Sequence, residues 1–283
     1  MNFKLKTLVA ALALSAVATS ANAAISAGTS NGNSELVFSA WDSTAGVGYT
    51  YDLNWNKFLN DFVGIDQAAS AAGNPVLAAN AVVQSSMIGA GGVIFDDVLT
   101  GFNLAGSSNV QWNLGAFDNF GRTRLLMTQG DAGLPFASTN NQVKASVTGF
   151  TGYVSQANSL VTVPAEDTFN TSVVADGQGY AGLLNNGFNN NLADTTNVLG
   201  GTSFMYFLAP TTLASSAAQA IQQQLFSFDG REIVAKTYLQ NDVWRLQIAA
   251  VQAVPEPETN AMMLAGLGLM GFIARRRRNN LAK

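Results

Sequence analysis

The segment SELVFSAWD, residues 34–42, decides the fold class of this chain. Its side chains alternate in character with a period of two, which is the period of a β-strand whose successive side chains point to opposite faces of a sheet. One side of the alternation holds Leu36, Phe38 and Ala40, and the other holds Glu35, Val37, Ser39 and Trp41. The segment therefore predicts a strand with one fully apolar face, which has to pack against a core.

Short segments of the same kind recur along the chain between Gly, Asn, Asp or Pro, as in antiparallel sandwiches and barrels. The further strand candidates are Gly48 to Leu53, Val93 to Phe95, Val110 to Phe117, Arg124 to Thr128, Gln142 to Tyr153, Thr168 to Ala175, Ser203 to Leu208, Glu232 to Leu239 and Val243 to Val251. Helical spacing of apolar residues is best in Thr212 to Phe226 and weaker in Asn56 to Phe62 and Pro75 to Met87. We therefore predict a mainly β protein, an antiparallel β-sandwich-like domain with a few short helices.

The first residues have the order of a secretory signal peptide. Lys4 and Lys6 supply a positive start, and Leu8 to Ala18 is an apolar run. Ala21-Asn22-Ala23 has the small-x-small form of a signal-peptidase site, which predicts a signal peptide over residues 1–23 and a mature protein that begins at Ala24. Signal peptidase is thus an expected partner, and the body is expected outside the cytoplasm.

The last thirty residues combine a proline-rich joint, an apolar run and a basic cluster. Val254 is followed by Pro255, Glu256 and Pro257, then by a run from Thr259 to Ala274, and the basic cluster is Arg275, Arg276, Arg277 and Arg278. A helix over residues 259–274 would span roughly 24 Å, which is shorter than a typical hydrocarbon core of about 30 Å. Because the run has no polar face and long arginine side chains can reach the headgroups, we predict a transmembrane helix rather than a buried core helix. The positive-inside rule keeps the arginines in the cytoplasm.

This tail resembles the PEP-CTERM sorting signal of exported proteins in Gram-negative, exopolysaccharide-producing bacteria. Pro255-Glu256-Pro257 corresponds to the tripeptide that gives the signal its name, Ala261 to Ala274 to its apolar helix, and Arg275 to Arg278 to its basic end. The resemblance implies recognition by an exosortase, a membrane cysteine transpeptidase that would cut near the tripeptide and remove the helix. Glu258-Thr259-Asn260 departs from the small and aromatic residues common there. Similar tails are also labelled as the C-terminal domain of ice-binding proteins, a label that says nothing about ice.

The body between these segments, residues 24–253, is acidic and contains neither cysteine nor histidine. Seven basic residues stand against sixteen acidic ones, a net charge of −9. Such a surface argues against nucleic acid and anionic lipid as partners. The missing residue types exclude thiol nucleophiles, Ser-His-Asp triads and zinc sites built from His or Cys. The sequence therefore predicts no catalytic residue and a protein that is not an enzyme.

Carboxylates supply the remaining candidates for catalysis or metal binding. Asp96-Asp97 and Glu166-Asp167 are adjacent pairs, and neighbours on one strand point to opposite faces, so neither pair forms a glycosidase site by itself. We expect these residues to be solvated turn carboxylates. Calcium is the metal that this composition would suit, at Asp176-Gly177-Gln178-Gly179 or in the loop from Asn185 to Asp194, but ordinary turns are the favoured interpretation. No metal or other cofactor is predicted.

Six aromatic residues admit two interpretations, a sugar-stacking face or ordinary core packing. They are Trp41, Tyr49, Tyr51, Trp55, Trp112 and Trp244. Core packing is favoured for Trp41 and Trp112, which lie in strand candidates.

The two ends of the chain thus predict more about function than the body does. We expect an exported protein, held for a time in the inner membrane and then placed at the cell surface or in the extracellular matrix. A structural or adhesive role in an exopolysaccharide or biofilm context is the first hypothesis, with exopolysaccharide as a partner. The alternatives are a secreted carbohydrate-binding or carbohydrate-active protein, and an envelope protein that keeps its anchor.

Overall fold

The computed structural model describes residues 25–28, 34–53, 59–62, 82–83, 85–119, 123–129, 138–160, 169–185, 188–189, 191–192, 195–212 and 214–252. The predicted signal peptide, Trp55, Glu166-Asp167 and the predicted helix over residues 259–274 lie outside these ranges. Among the described residues, no helix combines the length and apolar character needed to cross a membrane. The unit that contains the sheet ends at Val251, and residues 252–283 form a second unit.

Thirteen strands within the described residues form one hydrogen-bonded sheet. They are β1 (Val37–Asp42), β2 (Val47–Asp52), β3 (Val82–Val83), β4 (Val93–Val98), β5 (Gln111–Asp118), β6 (Arg124–Gln129), β7 (Phe169–Val173), β8 (Asn197–Val198), β9 (Thr202–Ala209), β10 (Ile221–Gln224), β11 (Phe226–Ser227), β12 (Glu232–Gln240) and β13 (Val243–Val251). The main path runs β3-β11-β12-β9-β6-β5-β1-β2-β7, while β13 joins β12 to β4, β10 pairs with β9 and β8 with β5. All of these pairs are antiparallel except β3 with β11.

The described residues contain few helical elements. One α-helical turn, α1, spans Leu59–Phe62, and a 21-residue helix, α2, spans Asn140–Leu160. The 3₁₀ helices cover Ser85–Met87, Ala90–Gly92, Val174–Gly179 and Ala181–Leu184.

Alternation along β1 divides its side chains between two hydrophobic cores. Phe38 and Ala40 belong to the first core, and Val37 and Trp41 belong to the second. The first core also receives side chains from β2, β4, β5, β6, β9, β12 and β13, so the sheet curls around it. A hydrogen bond from the Tyr51 hydroxyl to Asp97 Oδ2, 3.3 Å long, joins β2 to β4, which are not neighbours in the sheet.

The second core lies on the other face of the sheet and is covered by α2. Val143, Val147, Phe150 and Val154 are buried at helical spacing, and the Phe150 ring lies 4.8 Å from the ring of Phe117 on β5. These four residues place one apolar stripe of the helix against the sheet.

The sequence-based prediction of a strand over Gln142 to Tyr153 is wrong, because this segment lies within α2. Its β-branched residues favour a strand, but packing of the apolar stripe on the sheet outweighs this intrinsic preference. A capping box also marks the start of the helix: the Thr139 amide donates to Gln142 Oε1 (2.8 Å), and the Gln142 amide donates to Thr139 Oγ1 (3.3 Å).

The helix predicted over Thr212 to Phe226 is also wrong. Ile221–Gln224 is strand β10, and its backbone pairs with residues Ala209 to Tyr206 of β9. The hydrogen bonds that hold β10 as a strand come from β9, and the spacing of apolar residues within Thr212 to Phe226 does not show this pairing. Of the weaker helix candidates, Asn56 to Phe62 is helical at Leu59–Phe62, whereas Pro75 to Met87 contains β3 and a 3₁₀ turn where it is described.

The fold class is confirmed at the level of a mainly β, antiparallel protein with few helices. Two details differ from expectation. The strands form one curled sheet instead of two separate sheets, and α2 is longer than the short helices predicted.

Candidate functional site

The end of the β12–β13 hairpin presents an aromatic side chain on a rigid support. Asn241 and Asp242 connect the strands with φ values of 50° and 60°, the backbone of a type I′ turn. Trp244 follows the turn and is half-buried. Its ring lies 6.4 Å from that of Phe102, and Phe102 lies 5.1 Å from Tyr49 in an edge-to-face arrangement. The indole is thus fixed through Phe102 to the first core.

Two open grooves flank Trp244. The first has a volume of about 560 Å³ and is lined by Ser43, Thr44, Ala105, Ser107, Ser108, Asn109, Val110, Gln111, Val198, Leu199 and Trp244. The second, of about 550 Å³, is lined by Val98, Leu99, Thr100, Gly101, Phe102, Ala105, Asp242, Val243 and Trp244. Both volumes fall within the range of small-molecule sites, about 300–1,000 Å³. Trp244 and Ala105 line both grooves.

Asp42 holds the walls of the first groove together. Its carboxylate accepts hydrogen bonds from the amides of Thr44 (2.8 Å) and Ala45 (3.0 Å) in the β1–β2 turn, and from the Ser107 hydroxyl in the loop before β5. The bond from Ser107 and those from the turn amides lower the pKa of Asp42. Asp42 is therefore ionised, and its carboxylate links the β1–β2 turn to the loop before β5.

Two buried tryptophans, Trp41 and Trp112, form hydrogen bonds with residues that line the first groove. The Trp41 indole donates to Gln111 Oε1 (3.2 Å), and the Trp112 indole donates to the Val198 carbonyl (2.8 Å). Trp41, Trp112, Tyr49 and Tyr51 are all at most 1% exposed. A sugar-stacking face made of these four residues is therefore ruled out. Trp244 is the one member of the predicted set that the described residues leave accessible.

Asp96 and Asp97 are strand residues, so the prediction that they are solvated turn carboxylates is wrong. The expectation that they point to opposite faces is confirmed. Asp97 accepts from Tyr51 on the inner side of the sheet. On the outer side, Asp96 accepts from the Tyr238 hydroxyl, Arg245 Nε and Gln247 Nε2 at 2.6 to 2.9 Å.

The outer group of four side chains keeps Asp96 ionised. Burial acts to raise the pKa of Asp96, but hydrogen bonds from Tyr238, Gln247 and Arg245 and the charge of Arg245 together lower it. A carboxylate held in this way is a poor proton donor. Its donors lie on β13, which pairs with β4, and on β12, the next strand beyond. The group is a cross-strand brace.

Arg124 and Asp118 form an ion pair at the end of the β5–β6 hairpin. Both side chains have no exposed surface, and Arg124 Nε donates to Asp118 Oδ2 at 2.5 Å. Burial lowers the pKa of Arg124, while the charge and hydrogen bonding of Asp118 act against that shift. The pair closes a hairpin inside the fold and is not open to a substrate.

Tyr153 places a hydroxyl group between α2 and the sheet. Its oxygen hydrogen-bonds with Thr50 Oγ1 and lies 3.3 Å from Ser39 Oγ. Burial raises the pKa of Tyr153 to about 12, and the two hydroxyls act to lower it. The phenol is therefore a structural group at neutral pH.

The raised pKa of Tyr153 predicts a loss of stability at alkaline pH. The unfolded chain releases this proton near pH 10 and the folded chain near pH 12, so the stabilisation is complete below pH 10 and is lost as the pH rises through about 12. Tyr153→Phe removes the titration, at a cost of about 1–2 kcal/mol near pH 7 from the lost hydrogen bonds. Between pH 10 and 12 the stability of the wild type relative to Tyr153→Phe in urea unfolding should fall by about 2 kcal/mol, so the advantage of the wild type disappears or reverses. A difference that stays constant across this interval would contradict the assignment.

The calcium candidates have other roles where they are described. Asp176 Oδ2 accepts from the Val173 amide (2.6 Å) and caps the 3₁₀ helix Val174–Gly179, as expected of an ordinary turn. The loop from Asn185 to Asp194 is described only in part. Among the described residues, no three Asp or Glu side chains come together in a group that could hold a metal ion.

Comparison with known proteins identifies the tail and not the body. Residues 253–278 match the family model of the PEP-CTERM protein-sorting motif, which confirms the resemblance based on Pro255-Glu256-Pro257 and the arginine cluster. No curated protein and no solved structure matches the chain. The matched motif implies export and membrane-processed sorting to the cell surface of Gram-negative bacteria, with an exosortase as the processing partner.

Sequence reasoning named Trp244 but missed the residues that surround it. Phe102 and the polar loop from Ser107 to Asn109 lie more than 130 residues before Trp244 in the chain, and the β4–β13 pairing brings them to it. A local signal did exist: Ser107-Ser108-Asn109 is a polar turn directly before a strand.

Proposed function

We propose that the protein is a non-enzymatic surface or extracellular-matrix protein with a structural or adhesive role among exopolysaccharides. The observation that carries the proposal is the sorting motif at residues 253–278. A motif of this kind delivers a folded body to the outside of the cell, where polysaccharides and neighbouring cells are the available partners.

The charge of the body supports this role. A net charge of −9 keeps an exported protein soluble and disfavours binding to nucleic acid and anionic lipid. The buried pair Asp118–Arg124 and the pair Asp96–Arg245 use four charged side chains of the body for contacts within the fold. These groups stabilise the fold and offer no general acid or base to a substrate.

The direction of β13 also supports display of the body. The sorting motif begins directly after β13, while Trp244 is near the start of that strand. Trp244 and Val251 are seven residues apart, about 24 Å along an antiparallel strand. Val251 therefore lies at the end of β13 that is far from Trp244.

A deletion strain of the native host tests the proposal. Loss of the protein should reduce biofilm mass or cell attachment, and the full gene should restore it. A complementing gene that lacks residues 254–283 should not restore the phenotype, because its product is not sorted to the surface. Unchanged matrix, attachment and surface properties in the deletion strain would argue against the role.

A further inference from the structure

We propose that the two grooves beside Trp244 form one extended binding site for a neutral polysaccharide, with the indole stacking on a sugar ring at its centre. This proposal extends the adhesive role proposed above. It rests on that role in one respect only, which is that the polysaccharide is present outside the cell. Three properties of the site carry it: an aromatic platform packed on the core, uncharged polar side chains along the first groove with no Lys or Arg in either lining, and two adjoining grooves that are open to solvent.

The platform is rigid before any ligand binds. Trp244 contacts Phe102 at 6.4 Å, and Phe102 contacts the buried Tyr49, which is itself anchored by a hydrogen bond from its hydroxyl to the Thr100 carbonyl (2.7 Å). An amphipathic ring held in place loses little conformational entropy on binding. Its accessible part can cover the apolar C–H face of a pyranose.

The lining selects the chemistry of the ligand. Hydroxyl and amide side chains of Ser43, Thr44, Ser108, Asn109 and Gln111 line the first groove, and such groups can both donate to and accept from sugar hydroxyls. Of the described residues in the two linings, only Asp242 is charged, and none is Lys or Arg. A phosphate or an acidic polysaccharide would meet no cation here and would approach a body of net charge −9.

The arrangement of the grooves selects the shape of the ligand. The two grooves share Trp244 and Ala105, so a chain molecule can pass from one to the other across the indole. Both grooves are open to solvent, so a polymer can bind by an internal stretch of its chain. A compact ligand would occupy only one groove.

A protein partner is the competing occupant, because Val198 (69% exposed), Leu239 (54%) and Val243 (42%) lie around the indole. The polar side chains of the first groove favour the polysaccharide. Hot spots of protein interfaces are instead desolvated and surrounded by contacts that exclude water. We treat a protein partner as an outcome of the test.

Affinity electrophoresis of the full-length protein in mild detergent tests the proposal, with dextran, a mixed-linkage β-glucan and a galactomannan as neutral probes and alginate as the acidic probe. At least one neutral polysaccharide should retard the wild type, and alginate should not. Trp244→Ala should weaken that binding at least tenfold, while Trp244→Tyr should retain most of it. Phe228→Ala is the matched control, because Phe228 is 82% exposed and lies in the β11–β12 turn, outside both grooves.

A second variant guards against misfolding of Trp244→Ala. Ser108→Arg places a long side chain in the first groove from an exposed position, so it should block the polysaccharide without disturbing the core. Bound polysaccharide should also protect one tryptophan from acrylamide quenching in the wild type and none in Trp244→Tyr. The proposal would be overturned by retardation with alginate alone, by no retardation with any neutral probe, or by equal retardation of Trp244→Ala and the wild type. It would also be overturned if Trp244→Ala lost attachment to a partner protein but not to a polysaccharide.

The two proposals fail in different ways. A protein that reaches the cell surface but binds none of the neutral probes would contradict the polysaccharide site. This result would leave the proposed structural or adhesive role unaffected. A protein whose deletion leaves matrix and attachment unchanged, but which binds a glucan through Trp244, overturns the adhesive role alone.

Discussion

Replacement of Arg124 by methionine is expected to lower the free energy of unfolding by about 3–5 kcal/mol, because it leaves the Asp118 carboxylate inside the fold without the guanidinium. Both side chains have no exposed surface, so solvent cannot take the place of the lost cation. The charge would have to be neutralised or the hairpin end would have to open. Urea unfolding near pH 7, with a fall in midpoint and an unchanged slope, measures the effect.

Arg231→Met is the matched control for this prediction. Arg231 pairs with Asp229 at 2.8 Å, but the two side chains are 26% and 55% exposed. Surface pairs of this kind contribute little to stability, because solvent screens both charges. The double replacement Asp118→Leu with Arg124→Met should recover much of the stability lost in Arg124→Met, since it removes both charges. Equal effects of Arg124→Met and Arg231→Met would show that the buried pair is not the cause.

Replacement of both Pro255 and Pro257 by alanine is expected to abolish removal of the sorting tail in the native host. The two prolines fix φ and favour an extended backbone, the form that a processing enzyme holds in its groove. Intact-protein mass spectrometry should find wild-type protein that ends near the tripeptide, and mutant protein that still ends at Lys283. The predicted signal-peptide cleavage before Ala24 is read from the same spectra.

Glu258→Ala is the control for the processing experiment, since it changes a neighbouring residue and leaves the tripeptide intact. This variant should be processed as the wild type is. Wild-type protein that retains its C-terminus in mature material would support the alternative of a permanent anchor. Cleavage of the double alanine variant at the normal position would show that the tripeptide is not what the enzyme recognises.

Local patterns predicted most strands because the alternation in each strand matches a real division between two cores. In β1, Phe38 and Trp41 were assigned to opposite faces from the sequence, and they pack in different cores. The same reasoning failed at α2, where β-branched residues suggested a strand although Val143, Val147 and Val154 have helical spacing. Thr139 and Gln142 form a capping box that would have indicated the helix.

The candidate site could be predicted only in part. Trp244 follows a two-residue turn between two strong strand patterns, so its position near a hairpin end was readable from the sequence. Burial of Trp41 and Trp112 was favoured but not decided by their strand positions. The grooves themselves come from loops before β5 and after β4 that meet β13 through long-range pairing.

The sequence by itself determined the class of fold, the acidic and cysteine-free character of the body, and the sorting tail. Those features rest on local order: side-chain period, charge, and a short motif whose parts follow one another along the chain. Only the tertiary structure decided that Trp244 stays accessible while Trp41 and Trp112 are buried, that Asp42 and Asp96 are hydrogen-bonded within the fold, and that Gln142 to Tyr153 is helical. Each of these depends on the curl of one sheet around its core, which brings together residues far apart in the chain.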